Sequence, residues 1–164
     1  MNFELAFKKL IDHEGSLSLD PNDRGNWDTG VIGRGTLKGT KYGISAMTYP
    51  HLNIAALTLD DAKKIYREDF WGQSDDLPNA VRFDFFDAAV NSGYKQAVKW
   101  LQRAAGVTVD GELGPKTLLG VRMADPHQLS KRFNGHRLIS MTTMKGWATQ
   151  NKGWAVRIAR NLLE

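Results

Sequence analysis

The stretch from Ala80 to Asn91 constrains the fold more than any other part of the sequence, because its apolar residues lie on several sides of a helix. A helix that is apolar all round has to be buried by the rest of the protein. We therefore expect a central buried helix that ends at Gly93, where glycine lets the chain leave the helix. The apolar residues of this stretch are Val81, Phe83, Phe85, Phe86, Ala88, Ala89 and Val90.

Apolar residues at helical spacing, together with capping residues, predict six or seven helices in all. Thr58-Leu59-Asp60-Asp61 resembles a capping box, and Pro115 and Pro126 suit the first position of a helix. Gly106 is expected to end the helix that follows the central one. The other predicted helices cover residues 3–13, 58–70, 95–105, a short segment from Pro115, a longer one from Asp125-Pro126 through Ile139, and a final one with Trp154, Ile158 and Leu162 on one face.

Residues 15–43 differ in composition from these helices. They contain seven of the sixteen glycines, with Pro21 and many Asp, Asn and Thr residues, which is typical of loops and turns. A loop-rich segment of this length inside a compact domain is usually functional. Short strands are expected around Val31-Ile32 and Tyr42-Gly43-Ile44. The sequence therefore predicts a mainly α fold with a small β and loop element near residues 15–50.

The chain length and the absence of cysteine limit the classes of protein to consider. With 164 residues the chain can enclose one core, so we expect a single domain over residues 1–164. The lack of cysteine removes disulfides, zinc–thiolate sites and thiol nucleophiles. No apolar run is long enough for a membrane span, and the first residues lack a secretory signal. We expect synthesis in a bacterial cytoplasm and action on the cell wall after release.

The net charge of +4 is distributed unevenly along the chain. Residues 115–164 carry nine Lys or Arg residues against Asp125 and Glu164, whereas residues 1–114 carry 13 basic and 16 acidic residues. One interpretation is an ordinary solvated basic face. The other is attraction to a polyanion such as a nucleic acid, an anionic lipid or a bacterial envelope.

Glu14 is the first candidate for a catalytic residue. At about 100° per residue it lies within the apolar stripe that Phe3 and Leu10 form on the first predicted helix. Burial and the negative end of the helix dipole would both raise the pKa of its carboxyl group. A carboxylic acid that keeps its proton near neutrality can protonate the leaving oxygen in glycoside hydrolysis. The alternative is a helix-end glutamate paired with a nearby basic residue.

The loop after Glu14 supplies a second carboxylate, which could orient water or stabilise positive charge on a sugar ring. The candidates are Asp20, Asp23 and Asp28, and Asp20-Pro21-Asn22-Asp23 is also favourable turn chemistry. Other chemistries find no support in the sequence. The four histidines lack metal-ligand spacing, and serine-hydrolase, dinucleotide and phosphate-loop motifs are absent or broken. We expect no metal and no cofactor.

A series of segments in fixed order carries a family resemblance. It begins with His13-Glu14-Gly15, Asp20-Pro21-Asn22-Asp23 and Thr40-Lys41-Tyr42-Gly43-Ile44-Ser45. It continues with Ala62-Lys63-Lys64-Ile65-Tyr66, Phe70-Trp71, Phe86-Asp87-Ala88-Ala89-Val90-Asn91-Ser92-Gly93, Trp100-Leu101-Gln102 and Val109-Asp110-Gly111-Glu112-Leu113-Gly114-Pro115-Lys116-Thr117. The series resembles the glycoside hydrolase family 108 muramidases, bacterial and phage enzymes that cleave peptidoglycan. The last segment is similar to a peptidoglycan-binding motif, so residues 94–164 are expected to form a binding part integrated in the same domain.

The resemblance implies a lysozyme-like fold that cleaves the bond between N-acetylmuramic acid and N-acetylglucosamine, as a phage endolysin does. The family glutamate maps to Glu14. Phage lysozymes show an Asp after eight further residues and then a Thr, which gives Asp23 and Thr40 as catalytic partners and keeps Asp20 in reserve. The sequence departs from the family pattern in two places: Ser16-Leu17 follows Glu14-Gly15, and the segment from Gly25 to Gly39 is longer than in the family. These departures leave the catalytic roles of Thr40 and Asp28 undecided.

Substrate contacts and partners follow from the same comparison. Asp20, Tyr42, Asn91 and Tyr94 are expected to contact the glycan; aromatic rings stack on sugars, and an amide can project into a cleft. Trp27, Trp71, Trp147 and Trp154 could also stack on sugars, although most aromatic residues at helical spacing belong to the core. Asn91 could instead hydrogen-bond the backbone of its own helix.

The expected partner is peptidoglycan, with the basic third approaching the anionic envelope or membrane surface, and the protein is expected to be a monomer. A non-catalytic peptidoglycan-binding module is the main alternative. A nucleic-acid binder is disfavoured because stacking and groove-reading motifs are absent. An amidase is disfavoured because the sequence lacks cysteine and paired histidines.

Overall fold

The computed structural model describes residues 1–11, 16–144 and 146–163, and this part of the chain forms two compact units. The loop-rich unit is Phe3–Glu68, and the helical unit is Met1–Asn2 with Asp69–Glu164. Helices dominate the described chain, and a small two-stranded sheet accompanies them, so the predicted fold class is confirmed. The single catalytic domain over residues 1–164 stays a prediction.

The loop-rich unit begins with helix α1 (Phe3–Ile11) and ends within the segment that follows helix α2 (Leu59–Ile65). The apolar stripe of α1 buries Phe3 and Phe7, and Phe7 meets the ring of Tyr66 edge-on, with the ring centroids 5.6 Å apart. The predicted capping box begins α2: Asp61 N–H donates to Thr58 Oγ1, and Thr58 N–H donates to Asp61 Oδ2. The chain then continues through π-helical turns over Tyr66–Trp71 and a 3₁₀ helix over Gly72–Asp76.

The sheet is a hairpin of strand β1 (Thr40–Lys41) and strand β2 (Ile44–Ser45), paired antiparallel. Tyr42 and Gly43 form its two-residue turn, and both have positive φ (52° and 74°), as a type I′ turn requires. The strand expected near Tyr42-Gly43-Ile44 is therefore present, with its first two residues in the turn.

The prediction of a strand at Val31-Ile32 is wrong. Both residues are exposed and lie in turns between Gly30 and Gly33, whose φ angles are also positive. The β-branched side chains favour a strand, but the flanking glycines reverse the chain within a few residues, and none of the described strands pairs with this segment.

The helical unit is built around helix α3 (Asn79–Ser92), as the sequence predicts. Five of its residues, Val81, Phe85, Phe86, Ala88 and Ala89, have no exposed surface. Helices α4 (Tyr94–Ala105) and α6 (Pro126–Thr142) pack on α3 and on each other, α5 (Pro115–Met123) packs on α4, and α7 (Trp147–Leu162) packs on α6. The core that they share includes Trp100, Leu101, Leu129, Phe133 and Ile158.

The ends of these helices also agree with the sequence. Gly93 and Gly106 have positive φ (85° and 69°) at the ends of α3 and α4. Pro115 begins α5, and the carboxylate of Asp125 caps α6 by accepting from Gln128 N–H at 2.8 Å. Leu162, expected on the apolar face of α7, is half exposed. None of the described helices is both long and apolar enough to cross a membrane.

Candidate functional site

Glu14, the predicted acid, lies outside the residues that the structure describes, as do His13 and Gly15. Its catalytic role therefore stays a prediction. The residues predicted to assist it fall into two groups. Asp20, Asp23, Thr40 and Tyr42 belong to the loop-rich unit, and Asn91 and Tyr94 belong to the helical unit.

Asn26 organises the loop that carries the acidic candidates. Its side chain is fully buried, and Nδ2 donates to the carbonyl of Asp20 at 2.9 Å. Its own carbonyl accepts from the backbone N–H groups of Lys38 and Gly39, both at 3.0 Å. Asn26 thus joins the acidic turn to the approach of strand β1, a role that the sequence analysis missed. Its Oδ1 is buried and has no hydrogen-bond partner among the described residues.

Asp20 and Asp23 are both exposed, and each closes a local turn. Asp20 Oδ1 accepts from the backbone N–H of Asn22 at 2.9 Å. Asp23 Oδ1 accepts from Gly25 N–H at 2.8 Å and caps the 3₁₀ helix Arg24–Asn26. Within the described part of the chain, Asp23 Oδ2 makes no hydrogen bond, so one oxygen remains for solvent or substrate. The turn chemistry and the exposed carboxylates that the sequence suggested are thus both present.

Asp28, the further acidic candidate, is anchored more firmly. Its Oδ1 accepts from Thr36 N–H at 2.9 Å, and its Oδ2 lies 3.7 Å from Lys38 Nζ. The neighbouring Trp27 donates its indole N–H to the carbonyl of Pro21 at 3.0 Å. These bonds hold the two sides of the long loop together.

Thr40 lies at the centre of a three-stranded arrangement of backbone. It pairs with Ser45 in β2 on one side and with Ser18 on the other, where the two Ser18–Thr40 backbone bonds measure 2.8 and 3.0 Å. The structure therefore brings the residues next to Asp20 against the strand of Thr40.

Tyr42 occupies a strained position at the tip of the hairpin. Among the described residues it alone has a positive φ without being glycine, a conformation that costs roughly 1–2 kcal/mol. The hydroxyl of Tyr66 donates to the Tyr42 carbonyl at 2.9 Å, and Lys41 Nζ lies 5.3 Å from the centre of the Tyr42 ring. Strain of this kind concentrates at functional sites.

Asn91 and Tyr94 lie where α3 gives way to α4. The amide nitrogen of Asn91 donates to the carbonyl of Asp87 at 2.6 Å and lies 3.2 Å from its Oδ1. This is the alternative in which Asn91 bonds its own helix, although its side chain is exposed. Tyr94 is half-buried, and its ring meets Phe85 edge-on with centroids 5.4 Å apart.

A buried charged cluster lies beneath Asn91, and the sequence gives no local sign of it. Arg137 is fully buried, and its Nη1 lies 2.7 Å from Asp87 Oδ2. Arg157 Nη1 lies 3.5 Å from the other oxygen of Asp87. Burial raises the pKa of nearby Asp84 to about 6, against the opposing hydrogen bond from Ser130. Arg137 therefore does not belong to a solvated basic face.

The peptidoglycan-binding-like motif from Val109 to Thr117 is held by one side chain, that of Gln102. Gln102 Oε1 accepts from the backbone N–H groups of Asp110 and Gly111, and Nε2 donates to Asp110 Oδ1 at 2.6 Å and to Thr117 Oγ1 at 3.0 Å. Hydrogen bonds from Glu112 N–H and from Gln102 lower the pKa of Asp110. The most polar residues of this motif therefore maintain its own loop.

Several of the aromatic candidates for sugar stacking lie in the core or pack against it. Trp71 is only 1% exposed, and its indole N–H donates to Asp75, so the alternative that it belongs to the core holds for this residue. Trp147 and Trp154 pack against the core of the helical unit. Among the described residues, no cluster of His, Cys, Asp or Glu is arranged to hold a metal ion.

Comparison with known proteins gives two family matches along the chain. The family described as glycosyl hydrolase 108 matches residues 7–93, and a predicted peptidoglycan domain matches residues 96–157. Nine chains of solved structures match as well. One of them, SagA from Brucella abortus, is 31% identical, with 98% of this chain and 91% of that chain covered and a TM-score of 0.84. A search of curated proteins found no match.

Proposed function

Because the chain belongs to the glycosyl hydrolase 108 family and acts on peptidoglycan as a glycoside hydrolase, we propose that it is a muramidase. The bond cleaved would be the one between N-acetylmuramic acid and N-acetylglucosamine. The observation that carries this proposal is the pair of matches, since a glycosidase family and a peptidoglycan domain together account for most of the chain.

Glu14 is the proposed general acid, and it lies within the residues that the glycosidase family matches. A glycosidase needs one protonated carboxyl group for the leaving oxygen and a second carboxylate for water or for the oxocarbenium-like charge. Asp20 and Asp23 are both exposed, and in the described chain each has one carboxylate oxygen without a hydrogen bond. The eight-residue spacing from Glu14 makes Asp23 the preferred candidate for the second role. Asp28 supports the proposal less, because both of its oxygens face loop partners.

Thr40 would take part as a positioning residue. Its backbone is fixed on both sides by pairing with Ser18 and Ser45, so the position from which its hydroxyl group projects is fixed as well. A rigid scaffold of this kind is what precise placement of water next to a sugar requires.

The bond specificity is tested by mass spectrometry of purified peptidoglycan after digestion. We expect muropeptides with new reducing N-acetylmuramic acid ends and no free stem peptides. New amino termini would place the enzyme among the amidases. Reducing N-acetylglucosamine ends would contradict the proposed bond, and wall binding without any product would favour the non-catalytic binding module.

The role of Glu14 is tested with Glu14→Gln, which keeps the size of the side chain and removes the acid. Loss of general acid catalysis should lower the rate of turbidity clearance by on the order of 10²-fold or more. Glu68→Gln is the matched control, an exposed carboxylate in the same unit that the proposal does not use. Circular dichroism melting should show both variants folded, and near wild-type clearance by Glu14→Gln would exclude Glu14 as the acid.

A further inference from the structure

An aliphatic groove of about 450 Å³ lies within the loop-rich unit, and Asp20, Asp23 and Asp28 are not among the residues that line it. Its lining includes Leu17, Leu19, Leu37 and Leu52, together with Lys38 and His51. Leu17 and Leu19 remain 36% and 50% exposed. Single apolar residues scattered over a protein surface are ordinary. Four leucines around one concave surface instead indicate a binding site.

The walls of this groove are fixed by hydrogen bonds. Lys38 Nζ donates to the carbonyl of Pro50, and Lys41 Nζ donates to the carbonyl of Ala55 at 3.0 Å. These two bonds tie residues 50–55 to the β1 segment, so the groove is largely formed before any ligand arrives, as binding pockets usually are.

Gly39 allows the other wall of the groove, which Leu17 and Leu19 form, to approach β1. Its φ is +89°, and a Cβ atom there would lie 2.5 Å from the carbonyl oxygen of Ser18 and 2.8 Å from Leu19 Cδ2. Ser18 stands between the two exposed leucines and pairs with Thr40. The groove is therefore continuous with the strand that carries a proposed catalytic residue.

The chemistry of the lining selects among the parts of peptidoglycan. A sugar ring carries polar groups on nearly every carbon, and aliphatic leucines would leave those groups without partners. The peptide stem offers the opposite combination, alanine methyl groups beside carboxylates. Lys38 Nζ has three donors. One donates to the carbonyl of Pro50, and Asp28 Oδ2 is an ion-pair partner at 3.7 Å, longer than a direct charge-assisted hydrogen bond, so donors remain for a ligand carboxylate.

We propose that this groove binds the peptide stem of peptidoglycan, with alanine methyl groups against Leu17 and Leu19 and a stem carboxylate facing Lys38. The inference rests on the proposed muramidase function, since it makes the stem a recognised part of the substrate. The enzyme would then prefer glycan strands that still carry their peptides.

The test compares intact peptidoglycan with the same glycan stripped of its stems by an N-acetylmuramoyl-alanine amidase. Leu17→Gln and Leu19→Gln keep the size of two exposed side chains, so both variants should fold. Each should reduce the ratio of kcat/KM values for stem-bearing over stem-free glycan, by on the order of tenfold. Ile32→Gln is the matched control, because Ile32 is 55% exposed in the same unit and does not line the groove.

A second measurement separates this inference from the proposed function. A synthetic stem pentapeptide should bind the wild-type protein saturably in NMR titrations, and the double leucine variant should lose that binding. An unchanged substrate ratio, or an equal loss on both glycans, would overturn the inference while leaving the muramidase proposal standing. Peptide binding without any glycan cleavage would support the groove and refute the muramidase.

Discussion

Replacing Asp84 with asparagine should stabilise the protein at neutral pH relative to acidic pH. Asp84 lies on α3, its residue is only 4% exposed, and burial raises the pKa of its carboxyl group to about 6 from an ordinary value of 3.8. Asparagine has a similar shape and can still accept the hydrogen bond that Ser130 donates at 2.6 Å. The variant therefore removes the titration and preserves the main contact.

The size of the effect follows from the rise in pKa of about two units, at 1.36 kcal/mol each, which gives about 3 kcal/mol. Below pH 3.8 the carboxyl group is protonated in the folded and the unfolded chain, and it contributes no penalty. As the pH rises from 3.8 to about 6, the unfolded chain loses the proton more readily than the folded one. The free energy of unfolding of the wild type then falls, and the loss is complete above pH 6.

Urea unfolding of the wild type and Asp84→Asn between pH 4 and pH 8 measures this difference. The free energy of unfolding of the variant minus that of the wild type should rise by up to about 3 kcal/mol across the range and level off above pH 6.5. Asp110→Asn is the control, because hydrogen bonds lower the pKa of Asp110 below 3.8 and its titration therefore falls below the range measured, so the difference for this variant should stay nearly flat between pH 4 and pH 8. A difference for Asp84→Asn that stays flat with pH would refute the assignment of a raised pKa.

Three further outcomes are expected. Asp23→Ala should remove nearly all peptidoglycan clearance from a folded protein, whereas Asp20→Ala should act mainly by lowering the melting temperature; the reverse pattern would reassign the second carboxylate. Gln102→Leu should lower the free energy of unfolding in urea by about 2–4 kcal/mol, because it removes every hydrogen bond of a buried amide at similar volume. A loss below 1 kcal/mol would show that the 110–117 loop keeps its conformation without the hydrogen bonds of Gln102. Neutralising the basic surface should weaken sedimentation with cell walls at 20 mM salt more than at 300 mM salt. Equal binding by the wild type and the variant at both salt concentrations would show that those charges do not contribute to wall binding. The residues to change are the exposed Lys131, Arg132 and Lys152.

The helices and their ends could be predicted from the sequence because their causes are local. Thr58 and Asp61 are three residues apart, and Asp125 reaches a backbone N–H three residues away. Gly93 and Gly106 adopt positive φ immediately after the helices that they end. The Val31-Ile32 strand failed because a strand needs a partner, and the preference of two residues does not supply one.

The buried polar contacts within each unit could not be predicted in the same way, because they join distant residues. Asn26 reaches Lys38 and Gly39, and Asp87 reaches Arg137, fifty residues away. A basic residue in a charged segment looks solvated until the fold supplies a carboxylate and an apolar shell around it. Sequence alone therefore suggested the exposed acids of the loop but gave no sign of the buried amide of Asn26 in the loop-rich unit or of the ion pair of Asp87 and Arg137 in the helical unit.

Gln102 has a consequence for recombining this protein with its relatives. Its amide offers one acceptor and two donors to the 110–117 loop, much as the peptide group of a neighbouring strand would, but it does so from the face of a helix. The conformation of the loop is therefore encoded partly outside the loop. A graft of residues 107–117 alone would lose its partner, whereas a graft from the start of α4 to the end of α5 would carry the loop and its partner together as one transferable module.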